Sequence, residues 1–243
     1  MNRRAFLGAV GATVSVGLLG RRAFATEDPL VVRVWPSTRA AEHEPVGRLR
    51  GYLVAALEPV VGPVAVQRGE GSVDLPREGG RQVLSRRWPR RVLLGASGFG
   101  QINPVDGVNL LVTDGDPTVQ PAGFARPGVA AATGASAVAR MPPVDEIDPV
   151  VPYSIPAAAT QLALHECGHA LGFTHEQGSV TESEGGIVSS PMVGSYYWAR
   201  PAVRDRQLNG AENACGESYP APNLGGKRRL RLRYADCVTD RHQ

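Results

Sequence analysis

Three of the five histidines in this chain fall at His165, His169 and His175, with Glu166 and Gly172 at fixed places among them. His165 and His169 are four apart, so on a helix both rings leave the same face. Imidazole is a good zinc ligand. Glu166, next to the first histidine, is placed to reach a metal-bound water instead of the metal. Gly172 lets the chain leave the helix through a left-handed turn, and His175 can then swing back as a third ligand. Three protein ligands leave one position of a tetrahedral zinc open, which is the pattern of a catalytic site and not of a structural one. From the composition, chance would produce this arrangement with a frequency on the order of 10⁻⁵.

The run His165-Glu-x-x-His169-x-x-Gly172-x-x-His175 resembles the elongated zinc signature of the metzincin metalloproteases. The resemblance implies a zinc endopeptidase holding one catalytic Zn²⁺. The metal would polarise the scissile carbonyl and lower the pKa of its water to about 7. Glu166 would take a proton from that water and deliver it to the leaving amine. It also implies a tight turn under the metal carrying a methionine, and Ser190-Pro191-Met192-Val193, with Met192 17 residues after His175, supplies one. Tyr196 or Tyr197, just beyond, is then placed to stabilise the oxyanion. Gly172 to Glu176 is similar to the astacins and His169 to Gly172 to the matrixins. Gly194 stands where astacins carry a metal-binding tyrosine, so the subfamily is unassigned. The family's edge strand, which aligns an extended substrate by β-augmentation, is expected within 108–125. Two other classes stay open: a zinc hydrolase acting on non-protein amides or peptidoglycan peptides, and a non-catalytic zinc-containing binding protein. Glu166 speaks against the second, because a structural site does not need it.

The elements that must position these residues read as an α/β (α+β) layout with the helices packed on one sheet, and the metzincin resemblance implies that this is a twisted, mostly parallel sheet backed by two helices, the second carrying the ligands. Leu30–Trp35, Val64–Gln67, Val92–Leu94, Val108–Thr113 and, more weakly, Ala135–Arg140 read as strands. Pro45–Pro59 places Val46, Leu49, Leu53, Ala56 and Leu57 at helical spacing. Ala157–Leu171 reads as the ligand helix, with Ser154 and Pro156 at its start and Gly172 at its end. Residues 68–90 read as a loop or hairpin, and the last 70 residues as irregular. These readings divide the chain into a leader, 1–25, and one catalytic domain, 26–243. The resemblance implies an N-terminal subdomain to 172 with the active-site helix and a C-terminal one from 173.

Residues 1–25 hold Arg3, Arg4, Arg21 and Arg22 and no acid, around an apolar run that ends in Ala23-Phe24-Ala25. This resembles a twin-arginine export signal and implies an exported protein of a bacterium or archaeon. Its removal leaves 22 basic against 23 acidic residues, so the sequence pI near 9.0 is no sign of an acidic partner, and nucleic acid is not expected. The expected partner is a protein or peptide substrate. The expected mature state is a monomer without a membrane span. With the first strand at Leu30, there is no room for a sizeable propeptide after the leader.

Cys167 falls about 200° around the helix from His165 and reads as a buried, inert thiol. Cys215 and Cys237 form a disulfide or stay free. Asp114-Gly115-Asp116-Pro117 offers a sparse oxygen set for calcium, and a simple turn is the favoured reading. Glu176 makes a salt bridge or faces solvent. Five arginines fall between Arg81 and Arg91, and the alternating run Lys227–Arg233 reads as a strand with one wet face or as a contact to an anionic surface or polysaccharide.

Overall fold

Strand β1 (Leu30–Pro36) lies beside two parallel neighbours, β2 (Val64–Arg68) and β3 (Val108–Thr113). Beyond β3 comes parallel β5 (Val129–Thr133), and beyond that the antiparallel edge strand β4 (Gly123–Arg126), giving the order β2-β1-β3-β5-β4. The computed structural model of the chain describes residues 28–119, 122–183, 185–208, 219, 226–235 and 238. The leader and the Cys215–Cys237 pairing lie outside them.

All six residues of β3 are buried, as a central parallel strand covered on both faces requires. The two faces follow the strand alternation. Val32, Val34, Leu110, Val112, Ala130 and Ala132 pack with α2 (Pro45–Val61) and α5 (Ile155–Ala170). Trp35, Leu111, Val129 and Ala131 point the other way. They meet Val83 and Leu84 of a π-helical turn (Val83–Arg87), and Trp88 and Val92 of α3 (Trp88–Ala96), which continues it. The alanines of β5 keep the strand thin where α5 crosses it. Helix α1 (Thr38–Ala41) follows β1, and α4 (Ala135–Ala139) joins β5 to the segment before α5.

A second sheet lies beyond, in the order β6-β9-β8-β7, from β6 (Val150–Pro152), β7 (Val180–Ser183), β8 (Gly186–Ser189) and β9 (Arg228–Arg231). Gln161 of α5 donates to the carbonyls of Ser189 (2.9 Å) and Arg231 (3.0 Å) and so ties this sheet to α5. A 3-10 turn (Gly194–Trp198) and α6 (Pro201–Leu208) complete the described tail.

The mixed α/β architecture with its mostly parallel sheet is the expected one, but three local readings are corrected. Val92–Leu94 is helix, and the supposed loop before it becomes helical from Arg81, because Leu84, Trp88 and Val92 recur at helical spacing against the sheet. Ala135–Arg140 is a short helix, since Gly134 (φ +100°) turns the chain out of β5. The edge strand expected within 108–125 is β4, whose first three residues fall in that window, while β3 is central. The tail is not simply irregular, since β7 pairs with β8, β8 with β9 and β9 with β6.

Candidate metal centre

Ser154 caps α5 by accepting from the Ala157 N–H at 3.2 Å. The helix ends where the Phe173 N–H reaches back to the Gly168 carbonyl (2.9 Å) and Gly172 takes φ +94°, a conformation that costs a side-chain-bearing residue about 1–2 kcal/mol. This reversal carries His175 back toward the helix. Its ring centre lies 5.2 Å from that of His165 and 4.8 Å from that of His169, and those two are 4.5 Å apart. One ligand atom from each histidine lies within 4.8 Å of the other two.

All three rings are oriented by backbone. The Nδ1–H of His165 donates to Pro191 O (2.7 Å), that of His169 to Phe173 O (2.8 Å) and that of His175 to Gln207 O (2.9 Å). With Nδ1 carrying the proton, each Nε2 presents a lone pair. The Nε2 atoms of His169 and His175 face each other at 3.0 Å. Two lone pairs at that distance repel, and a cation between them turns repulsion into binding. Burial holds all three rings below their ordinary pKa, His165 down to about 3, so they are neutral donors at physiological pH. The donor set therefore fits a metal ion, and three imidazoles suit zinc among several first-row metals.

Glu166 is buried, and burial pushes its carboxyl up to about 8. It faces the edge strand: a Cβ on Gly123 would collide with its carboxylate. Glu166 and His165 line a cleft of about 270 Å³, together with Tyr196, Tyr153, Ile155, Gln161 and others. This cleft is the space in which a ligand would meet both groups.

Met192 is fully buried beneath the helix, its sulfur against Gly168. It sits in a turn closed by the Gly194 N–H donating to Ser190 O at 3.0 Å. The same turn supplies the Pro191 carbonyl that orients His165. Of the two tyrosines, Tyr196 lies beside the histidines, its ring centre 5.0 Å from His175 and 5.8 Å from His165. Tyr197 instead packs into a satellite core with Val180, Ile187, Val193 and Leu208.

Cys167 is buried in the main core with its thiol pushed up by burial. Glu176 is exposed and forms no ion pair among the described residues. The Asp114–Asp116 segment is a turn whose carboxylates are already engaged. Asp116 accepts from Thr118, and Asp114 accepts from the Ser136 N–H and pairs with His43.

The three orienting carbonyls, Gly123 and Gln161 are the site residues that sequence reasoning missed. The first are backbone atoms, which carry no residue signature. Gly123 has significance only through the strand that brings it over Glu166. No protein-family model matches the chain, and no curated protein is significantly similar to it.

Proposed function

We propose that this chain is an exported zinc endopeptidase of the metzincin type, with His165, His169 and His175 as the metal ligands and Glu166 as the proton-transferring group. The single observation that carries the reading is the convergence of three oriented imidazoles, one of which, His165, shares a cleft with the buried carboxyl of Glu166. A purely structural metal site does not need such a carboxyl.

When bound, zinc supplies a Lewis acid that polarises a carbonyl and acidifies a water. The chain's own residues do the rest. A carboxylate oxygen of Glu166 takes the proton from the attacking water as the C–O bond forms, and returns it to the departing nitrogen as the C–N bond breaks. Burial raises the proton affinity of this carboxyl, and a divalent cation nearby lowers it again, so the group can act in both directions. Burial and the Glu166 charge hold the Tyr196 hydroxyl above its ordinary pKa. It therefore stays protonated and can donate to a developing oxyanion. The outer edge of β4 carries no strand partner among the described residues. An extended peptide running along it would pass over Glu166 at Gly123.

The test is cleavage of an unfolded protein by the wild type and by Glu166→Ala, with bound metal measured in both. The proposal expects equal metal and a loss of about 10²-fold or more in the variant. Equal cleavage by both would overturn it.

A further inference from the structure

The outward face of α3 takes no part in the site, and its composition is unusual for a face turned to water. Leu93 is 65% exposed, Leu94 38% and Phe99, just past the helix end, 85%. Between Gly79 and Val105 the chain has five arginines and no acid. Arg81, Arg86, Arg87 and Arg90 are exposed, and none makes an ion pair or hydrogen bond through its side chain among the described residues. Only Arg91 is engaged, donating to Asp74 O at 2.8 Å.

The apolar tip is built, not frayed. The Phe99 N–H donates to Leu94 O at 3.0 Å and the Ser97 N–H to Leu93 O at 3.1 Å, with Gly98 at φ +77° between them. Gly95 and Gly100 are in backbone contact, and a Cβ on Gly95 would strike the Ile102 backbone and Pro104. The glycines thus lock a tight turn that holds a phenylalanine out in solvent. Trp88 and Val92 take the inner face of the same helix, so the exposed leucines are not spare core residues.

We propose that this face docks on an anionic phospholipid bilayer, with Leu93, Leu94 and Phe99 entering the acyl boundary and Arg81, Arg86, Arg87 and Arg90 meeting lipid phosphates. Unpaired arginines around a projecting apolar tip match the layered chemistry of such an interface. A soluble polyanion would be met by the guanidiniums alone and leaves Phe99 without a role. α3 and α5 lie on opposite faces of the sheet, so docking leaves the histidine cleft turned away from the lipid. The proposal is independent of the function assigned to that cleft.

The test is co-sedimentation of the full chain with vesicles of equal parts phosphatidylglycerol and phosphatidylcholine, and with phosphatidylcholine alone. Residues 1–27 are present in every sample, so differences between variants report on α3. The wild type should bind the anionic vesicles more tightly. Arg86→Gln with Arg90→Gln should weaken that binding by about fivefold per arginine removed. Leu93→Ser with Phe99→Ser should weaken it at least about tenfold. Thermal melting of each variant controls for folding. A Phe99→Trp variant gives a second readout, a blue-shifted emission on adding anionic vesicles that brominated lipid quenches. Unchanged binding by the Leu93/Phe99 variant would overturn the proposal. So would a Phe99→Trp emission that vesicles do not shift, or binding to dextran sulfate equal to vesicle binding and independent of Phe99.

Discussion

Gly123→Ala separates catalytic geometry from stability at a position remote in sequence from the histidines. A Cβ there would lie 2.8 Å from both Cδ and Cγ of Glu166 and closer still to one carboxylate oxygen. Ordinary carbon contacts begin near 3.5 Å, so the carboxyl must retreat by about 0.7 Å or more. Misplacement of a reacting group on this scale costs up to about 10² in rate. The strand itself loses nothing: Gly123 lies outside the positive-φ region, and alanine in place of glycine in a strand gains about 0.5–1 kcal/mol. The expected outcome is a fall of about 10–100-fold in kcat/KM on an unfolded protein substrate, with bound metal unchanged and a urea midpoint equal to or above wild type. Full activity would show that Glu166 does not act from the position it holds under β4. A marked loss of stability would show that the contact is structural.

Three further outcomes follow from the same geometry. Gly172→Ala forces alanine into the left-handed region and should cost about 1–2 kcal/mol in denaturant melts, together with weaker zinc retention against a chelator, because His175 is reached through this turn. Tyr196→Phe should lower kcat by about 10²-fold with little change in KM, whereas Tyr197→Phe, at a position away from the cleft, should leave kcat near wild type. Gly168→Ala drives a methyl group toward Met192 and Tyr234 and should destabilise by about 1–3 kcal/mol, read as a lowered melting temperature.

The clustering of His165, His169 and His175 was legible because a spacing of four on a helix and a glycine that reverses the chain are local rules. They need no knowledge of the rest of the fold. The central strands β1 and β3 were legible for a similar reason, since strands buried on both faces are continuous apolar runs. The helix over Arg81–Ala96 was not. Its arginines, Pro89 and two flanking glycines resemble a loop, and only Leu84, Trp88 and Val92 mark the buried stripe. The second sheet was hidden because its strands are three or four residues long, and β6 pairs with β9 across nearly eighty residues. The choice between Tyr196 and Tyr197 depended on a 3-10 turn that sends adjacent side chains to different places. The carbonyls of Pro191, Phe173 and Gln207, which set the histidine tautomers, come from three separate segments that only the folded chain brings together.

The most direct test of the account is to strip the chain with a chelator and titrate zinc back while following cleavage of an unfolded protein in the same sample. The account predicts activity that starts at background, rises linearly and saturates at one equivalent of zinc per chain. Activity that is unaffected by stripping, or a chain that binds zinc and cleaves nothing, would contradict it.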